Sequence, residues 1–518
     1  MNSANRDRAN HTHGPRACAR GGALGKRQRG QAILWFLATI AACCAALALV
    51  YNVGQVTAEK EKTINAADAA ALSGALVEAR ILNFEAYTNR AMIANEVTIA
   101  QMISADSFVA YDATMAQYLC DYICPIPIVG QILEPALQGY ATTLQYAQMG
   151  IDYAAPFVIR ACDLAINGLK TARDVAYFAA PAAADGVASG VAEANMTTFG
   201  GRFDTQPELN PVLRATSLVA NTNDWLNFTK AYDGNDRGNA RDVILASRDQ
   251  FSTKRGMGPL ISAIDAQLEI STGVASAGTS YIGLERTSDT TTLTDFDHWA
   301  AQDSLDIYVA TLQFCWGFIP CGYEKTYLPV PIGYGRADAS TDGGTSKDLC
   351  HPSFPTLFGT TLNCHEAVQN GNAMTADGIP NIRDLANPGG PNTPDPTLAF
   401  IAGVQKSADA TMTTQRIGSP GMNTVQVPGP LGSPDMRDNL QNGDRLTSIA
   451  TARVFFARPD WSARDITAGD LPRSDRKHEY ASLYNPYWQA RLTQTDDATR
   501  AGFYVLIGAN PLLSVATP

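Results

Sequence analysis

The sequence predicts an α+β protein: an N-terminal transmembrane helix continues into long Ala-rich helices, followed by a mixed, loop-rich, β-containing periplasmic region. Three observations predict this. Between Ala32 and Tyr51, twenty residues include one clearly polar side chain, Thr39. Residues 53–115 are rich in alanine, leucine and methionine and contain no proline. After about Leu268, Thr, Tyr, Ile and Val become frequent between turn residues, which is typical of strands.

The apolar run that starts at Ala32 is long enough to cross a bilayer. Twenty residues at ~1.5 Å each make a helix of ~30 Å, the thickness of the hydrocarbon core. A secretory signal has a shorter apolar region of ~7–15 residues before a small-residue cleavage site. Here the run continues into "VTAEKEKTINAADAAALSGA", which also reads as helix. We therefore predict a retained anchor at residues 30–52 rather than a cleaved signal peptide or a buried core helix.

The charges that flank the run predict its orientation. The first thirty residues hold one acid, Asp7, and seven basic residues: Arg6, Arg8, Arg16, Arg20, Lys26, Arg27 and Arg29. Positive charge stays on the cytoplasmic side. Residues 1–29 are therefore predicted to be a basic cytoplasmic tail, and the body after a single pass of the inner membrane to be periplasmic. Of the chain's 39 basic and 50 acidic residues, 32 and 49 lie after residue 30, which is a formal charge of −17. This charge argues against nucleic acid as a partner.

Composition divides the rest of the chain into four regions. Residues 53–200 are predicted to be helical, with a break at "CDYICPIPIVGQ". The second helix, from about Leu133 to Ala194, is long enough to fold back antiparallel on the first and is interrupted at Ala180-Pro181. Residues 201–328 form a mixed region, with short helices at its start, a helix at Ala240–Phe251 and strands after Leu268. Residues 329–434 are rich in Gly and Pro and are predicted to be a loop region. Residues 435–518 form a C-terminal α+β segment.

The order of segments in the first third resembles a known family. A basic stub, "RGQA", an apolar helix and "NVGQVTAEKEKTINAADAAALSGA" are similar to the N-terminal region of TadG-like proteins of the Flp/Tad pilus assembly system. The family signature reads here as Asn65, Ala66, Ala67, Asp68, Ala69, Ala70, Ala71 and Leu72. The resemblance covers roughly residues 28–75. It implies a structural or assembly role without catalysis, with the inner membrane and other pilus assembly or envelope proteins as partners.

Two departures from family patterns bear on function. Pilin-type precursors are cut after a Gly and keep a Glu at the fifth mature position, whereas here Trp35 is fifth after Gly30. This departure favours the interpretation of the apolar helix as a retained anchor. A minor pilin-like subunit remains an alternative. The von Willebrand A-type domain of many TadG-like proteins needs Asp-x-Ser-x-Ser after a buried strand. The nearest string, Asp338 to Asp342, has an Asp in place of the second Ser, so no metal site is predicted.

The cysteines predict disulfides. Seven lie in the body, and six of them fall into close pairs: Cys120 with Cys124, Cys315 with Cys321, and Cys350 with Cys364. In an oxidising compartment such pairs are typical of disulfides that restrain loops, and Cys162 is left over. The alternative is a tetrahedral zinc site. Its candidate ligands are Cys315, Cys321, Cys350, His351, Cys364 and His365.

No catalytic residue or cofactor is predicted, because no nucleophile elbow, zinc-protease motif or phosphate-binding glycine loop occurs. A membrane-anchored periplasmic enzyme is the alternative. "DFDHWAAQD" places Asp295, Asp297 and His298 beside Trp299, which is typical either of surface hydrogen bonding or of a hydrolase or metal site. "NPYW", residues 485–488, is either a recognition turn or a packing element of a C-terminal subdomain.

Overall fold

A computed structural model describes residues 31–123, 129–196, 211–315, 317, 319–327, 332–345, 354–355, 361–362, 372–407, 445–458 and 477–506. The chain divides into two compact units. One comprises Met1–Glu59 with Asp409–Met436, and the other comprises Lys60–Ala408 with Arg437–Pro518. An α+β protein is confirmed, with long helices first and the sheets after them.

The helices follow one another along the first half of the chain, with one more near its end. They are α1 (Gln31–Ile123), α2 (Val129–Met196), α3 (Pro211–Phe228), a 3₁₀ turn (Gly234–Arg237), α4 (Gly238–Ala246), α5 (Gln250–Thr253), α6 (Gly258–Ala275) and α7 (Asp497–Leu506). The apolar part of α1 belongs to the first unit. Its large side chains are exposed, with Trp35 73% and Leu34 68% accessible.

Two described helices are long and apolar enough to cross a membrane by length and composition, Ala32–Asp121 and Glu134–Met196. In the most apolar 18-residue segment of the first helix, no residue is buried. In the corresponding segment of the second helix, 33% of the residues are buried.

In the second unit, α1 and α2 pack against each other in opposite directions. Alanines of α1 such as Ala66 and Ala71 share a buried cluster with Ala184 and Ala192 of α2. Farther along α1, Ile99 shares a second cluster with residues of the middle of α2. Alanine allows two helices to approach closely because its side chain ends at Cβ. The antiparallel arrangement of the two helices was predicted from the sequence.

The predicted interruption at Ala180-Pro181 is wrong, because α2 continues through Pro135, Pro156 and Pro181. A proline removes one helical N–H donor and leaves the carbonyl four residues earlier without its partner. At Pro181 that carbonyl belongs to Tyr177, and it accepts a hydrogen bond from the indole of Trp225. A residue 48 positions away in sequence therefore allows the helix to continue.

The strands of the described residues form four sheets. They are β1 (Thr229–Tyr232), β2 (Ser280–Asp295), β3 (His298–Cys315), β4 (Ile319–Tyr327), β5 (Gly333–Ser340), β6 (Phe354–Pro355), β7 (Thr361–Leu362), β8 (Asn372–Thr375), β9 (Ile382–Leu385), β10 (Leu398–Ser407), β11 (Arg445–Phe456) and β12 (Trp488–Thr493). The largest sheet has the order β2-β3-β5-β8, with β4 paired to β3. All of its pairs are antiparallel except β5 with β8. A second sheet has the order β10-β11-β12, and β1 pairs β9 while β6 pairs β7.

The Gly- and Pro-rich segment 329–434, predicted to be loop, contributes buried strands. In β5, Gly333 and Gly335 lie directly against α1: a Cβ on Gly333 would be 2.7 Å from Cβ of Met115, and one on Gly335 would clash with the carbonyl oxygen of Ser107. Small residues here therefore serve close strand–helix packing rather than turns.

Two other local predictions change in detail. A single helix, α3, replaces the short helices predicted after residue 201, and α6 occupies Gly258–Ala275, where strand was predicted from Leu268. The helix predicted at Ala240–Phe251 is present as α4 and α5, which are separated around Ser247.

Candidate interaction surface

The family signature lies on the buried side of α1. Ala66, Ala67, Ala70 and Ala71 are each no more than 2% exposed, and they share one cluster with alanines of α2 and side chains of the β10–β11 sheet. Asn65 is exposed. These signature alanines are therefore occupied by contacts within the chain, so a surface for a partner has to be sought elsewhere.

Just after the signature, Gly74 makes room for an aromatic ring of the second sheet. A Cβ at this position would clash with the ring of Phe400, which is 2% exposed. The absence of a side chain at Gly74 therefore fixes how closely β10 approaches α1.

One of the three predicted disulfides is present in the described residues. Cys315 and Cys321 are joined, with their Cα atoms 5.6 Å apart, at the tip of the hairpin formed by β3 and β4. Both sulfurs are used, so these two residues are not thiolate ligands for zinc. Cys120 is disulfide-bonded, and its predicted partner Cys124 lies outside the described residues. The thiol of Cys162 is buried and is not in a disulfide.

The other predicted pair, Cys350 with Cys364, lies outside the described residues, as do His351 and His365. Among the residues that the structure describes, no group of three or more His, Cys, Asp or Glu side chains is arranged to hold a metal ion.

The histidine of "DFDHWAAQD" lies in a buried network of ion pairs. His298 is 9% exposed, and its Nε2 lies 3.0 Å from Oδ1 of Asp338. The other oxygen of Asp338 accepts a hydrogen bond of 2.7 Å from Nε of Arg336. Asp338 is also the first residue of the string that was compared with the von Willebrand A-type metal motif. Its carboxylate already has two partners, His298 and Arg336.

The neighbours of His298 also bind to the protein itself. Asp297 forms an ion pair of 3.0 Å with Arg237, and Asp295 accepts a hydrogen bond from the backbone N–H of Asp297. The indole of Trp299 donates to Glu96 at 2.9 Å. Trp299 thus links β3 to α1, and Asp297 links the turn before β3 to the 3₁₀ turn.

The "NPYW" segment combines packing with a groove. Trp488 is 3% exposed and packs edge-to-face on Phe228 and Phe456. Its backbone N–H donates to Oδ1 of Asn83 at 2.9 Å. The packing alternative therefore describes Trp488, whereas Asn485 lies in an open groove of about 570 Å³ between α1 and α4, beside Arg90. A second open cavity, of about 430 Å³, contains His478, Asp395 and Tyr480.

The buried side of α1 also carries carboxylates. Glu78, Glu85 and Glu96 are at most 1% exposed. Neither carboxylate oxygen of Glu78 or Glu85 has a hydrogen-bond partner among the described atoms. Burial raises the pKa of Glu78 well above its usual value, and it raises the pKa of Glu85 and of Glu96 to about 8. The Trp299 hydrogen bond opposes this rise at Glu96, and the Arg383 guanidinium opposes it at Glu85. Burial thus favours the protonated form of all three carboxyl groups.

An extended apolar surface of the described second unit lies on the outer face of α2, the side turned away from α1. Large side chains on it are 44–75% exposed: Tyr146, Met149, Tyr153, Phe157, Leu164, Val175, Phe178 and Val187. Only two exposed residues between Tyr146 and Gly190 are charged, Asp152 and Arg160. Arg160 pairs with Asp377 at 3.3 Å, and Asp152 accepts a hydrogen bond from Asn372.

A helix of a water-soluble protein normally has charged residues on its exposed side, and a long exposed apolar patch marks an interaction surface. The outer face of α2 was not predicted from the sequence, although one signal was present. Large apolar residues recur there at helical spacing, and few charged residues lie among them.

The comparison with protein families gives one match. Residues 30–77 match the family model described as putative Flp pilus-assembly TadE/G-like. The matched segment contains the apolar part of α1 and the signature residues Asn65–Leu72. No curated protein and no solved structure matches the chain. Through its N-terminal region, the chain is thus similar to the putative Flp pilus-assembly TadE/G-like proteins, as the sequence analysis had recognised.

Proposed function

We propose that this protein is a membrane-anchored periplasmic component of Flp pilus assembly, with a structural role and no catalytic chemistry of its own. One observation carries the proposal. The segment that matches the pilus-assembly family contains a helix whose large apolar side chains, from Ile33 to Val53, are exposed. A bilayer is the environment in which such a surface is stable, since burial of each large apolar side chain contributes about 1.5–3 kcal/mol.

The charges of the chain support one orientation. Seven basic residues precede the apolar run, and the flank after it, Glu59–Lys62, is balanced. With the basic tail in the cytoplasm, the second unit lies in the periplasm, where the Cys315–Cys321 disulfide is stable.

We propose a single crossing, although α2 is also long and apolar. Two of its charged groups bind the segment between β8 and β9. Arg173 is 1% exposed and donates to the carbonyl oxygen of Asn381 at 2.9 Å, and Arg160 pairs with Asp377. A helix inserted alone into a bilayer would lose these partners, and each central charge would cost about 2.5–3.5 kcal/mol or more.

The absence of catalysis is supported by where the titratable groups lie. His298, the histidine of the one hydrolase-like motif, is held by Asp338 inside the protein. In this proposal the body acts by docking other pilus assembly or envelope proteins.

A pair of reporter fusions tests the anchor and its orientation. A reporter that is active only in the cytoplasm, fused after Pro518, should be inactive, while the same reporter fused after Gly30, before the apolar run, should be active. The full-length protein should also stay in the membrane fraction after alkaline extraction. Activity of the fusion after Pro518 would reject the periplasmic orientation, and release by alkali would reject the anchor.

In-membrane crosslinking followed by co-purification tests the assembly role. Pilus assembly or envelope proteins should be recovered with the full-length chain and lost when the body, residues 60–518, is removed. Recovery of no such protein from piliated cells would reject the assembly role while leaving the anchor in place.

A further inference from the structure

The end of the β3–β4 hairpin projects beyond the rest of its sheet. β2 pairs with β3 only as far as Thr311, and one further backbone bond joins Leu312 to Thr279. Of the strands that the structure describes, only β4 pairs with β3 beyond this point. Every described residue from 313 to 324 is exposed. We call residues 313–322 the hairpin tip.

The hairpin tip is apolar and uncharged. Its sequence, "QFCWGFIPCG", contains four large apolar residues and no Asp, Glu, Lys or Arg. Among its described side chains, Phe314 is 55% exposed and Ile319 is 65% exposed. The disulfide between Cys315 and Cys321 closes the loop, so the tip loses little conformational freedom when it binds. An exposed apolar element of this kind marks an interaction surface.

Large apolar side chains lie on both sides of the hairpin tip. In an antiparallel pair, directly opposite residues point to the same side, and successive residues alternate between the two sides. Phe314 is opposite Pro320, and Ile319 is opposite Cys315, so Phe314 and Ile319 point to opposite sides. A folded protein that docks against one side would leave the other apolar side in water, whereas lipid surrounds an inserted tip. The arrangement therefore favours lipid over a protein surface.

Polarity changes in a fixed order along the hairpin. Tyr323 follows the apolar tip, and the charged residues Glu324 and Lys325 follow Tyr323. Lys325 pairs with Glu285 at 2.7 Å. Glu324 is five residues from Ile319, which is roughly 15 Å along a strand at ~3.3 Å per residue. Interfacial elements reach ~5–10 Å into the boundary of head groups and acyl chains, so these charges would stay in water. Apolar residues, then an aromatic residue, then charges is the order expected from the acyl region to water.

We propose that the hairpin tip inserts into the interfacial region of a phospholipid bilayer, as a lipid contact of the body in addition to the proposed anchor. A two-stranded ribbon has open backbone edges that need water or head groups as partners, which restricts the tip to the interface rather than the acyl core. Because the tip carries no charge, insertion needs no anionic lipid. The bilayer that holds the anchor and a neighbouring bilayer offer the same surface, so insertion does not depend on the orientation of the anchor.

Site-specific photocrosslinking tests the insertion. Phe314 or Ile319 is replaced by photoreactive p-benzoyl-phenylalanine in the full-length protein, which is reconstituted alone into vesicles of equimolar phosphatidylethanolamine and phosphatidylcholine. After illumination, mass spectrometry should find phospholipid adducts at both positions. The control is Val219, which is 68% exposed and belongs to α3, a helix that packs on β10 of the other sheet. The adduct yield at this position should be at least about tenfold lower. Lipid adducts at neither tip position, or at only one of the two, would overturn the proposal.

A charge in the tip provides the second measurement. Ile319→Asp changes an exposed side chain, so the fold should tolerate it. With the photoreactive residue at position 314, the lipid adduct yield should fall at least about tenfold, because aspartate is strongly disfavoured inside a bilayer. Val219→Asp adds the same charge on α3 and should leave the yield unchanged. Both variants are compared in the form that keeps the Cys315–Cys321 disulfide. An unchanged yield in Ile319→Asp would contradict insertion.

Photocrosslinking in native membranes distinguishes lipid from the other occupants. Positions 314 and 319 should again give mainly phospholipid adducts. Adducts mainly with another envelope protein, or with a second copy of this chain, would reject lipid as the occupant. These readouts do not depend on the reporter fusions, so the insertion and the proposed orientation fail separately.

Discussion

The indole Nε1–H of Trp225 donates a hydrogen bond of 3.0 Å to the carbonyl oxygen of Tyr177, in the middle of α2. Tyr177 is four residues before Pro181, which has no N–H to offer that carbonyl. Trp225 is completely buried, and its ring lies 5.5 Å from the ring of Tyr177. One side chain of α3 thus replaces the missing helical bond and also packs on the residue that accepts it.

This relationship predicts the effect of removing the donor. Trp225→Phe should lower the free energy of unfolding by about 1–3 kcal/mol beyond the loss of ring volume, because a buried carbonyl is left without a partner. Urea unfolding of the detergent-solubilised protein, followed by circular dichroism, measures this. In a Pro181→Ala background the alanine N–H can bond to Tyr177, so the cost of Trp225→Phe should be smaller there. An equal cost in both backgrounds would contradict the role assigned to Trp225.

Gly74 gives a second prediction. Gly74→Ala should destabilise the protein by about 1–3 kcal/mol, because the added methyl would clash with the buried ring of Phe400 and force a shift. Gly139→Ala in α2 is the matched control, since a Cβ there meets no atom within 4 Å and alanine favours a helix by up to about 1 kcal/mol. Both are compared by the midpoint of thermal unfolding. Stabilisation by Gly74→Ala would show that α1 and β10 are not in close contact.

The carboxyl group of Glu96 predicts how stability depends on pH. Burial raises its pKa from 4.5 to about 8, so the folded state keeps a proton that the unfolded state has already lost. Between pH 4.5 and 8, this group should therefore lower the free energy of unfolding by about 1.4 kcal/mol per pH unit as pH rises. The full stabilisation is present below pH 4.5.

Glu96→Gln keeps an oxygen acceptor for Trp299 and cannot ionise, so it should remove the contribution of Glu96 to the slope and make the protein more stable than the wild type at pH 8. Glu193→Gln, at an exposed position of α2, should leave the slope unchanged. Urea unfolding at pH 5, 6, 7 and 8 provides the comparison. An unaltered slope in Glu96→Gln would show that Glu96 is ionised in the folded protein.

The disulfide at the β3–β4 hairpin predicts a redox effect. Non-reducing peptide mapping should recover Cys315 linked to Cys321, with no stoichiometric zinc. Replacing both by serine should lower the free energy of unfolding by about 2 kcal/mol on the chain-entropy estimate for so short a loop. Zinc bound at one atom per chain, with both thiols open to alkylation, would restore the metal alternative.

The N-terminus gives a prediction about processing. Intact-mass measurement of the membrane-extracted protein should show that Arg29 and Gly30 are retained, since Trp35 stands where a pilin has the glutamate that pairs with a neighbouring mature terminus. An unpaired terminal charge buried in a filament would cost several kcal/mol. A chain that begins at Gln31 and is recovered with sheared fibres would favour the minor pilin alternative.

Much of this architecture follows from the sequence alone. The apolar run, the long alanine-rich helices, their antiparallel return and the change to strands were all predicted, because each depends on the composition of residues that are contiguous in the chain. The Cys315–Cys321 pair was predictable for the same reason, since six residues separate the two sulfurs. The family resemblance likewise rests on one continuous segment.

Tertiary structure decided what depends on residues far apart in the chain. From local sequence, Pro181 predicts a helix break, but in the structure Trp225 supplies the missing hydrogen-bond donor. Gly335 likewise predicts a loop, but it lies in a strand packed against α1. From local sequence, Glu96 would be a surface charge, but in the structure β3 covers it. Which apolar side chains of α2 are buried and which are exposed depends on the packing of α1 against one side of the helix. Contacts between residues far apart in the chain decide these cases. A buried polar group needs a hydrogen-bond partner, and a small residue allows another element to approach closely. Local sequence specifies neither the partner nor the neighbouring element.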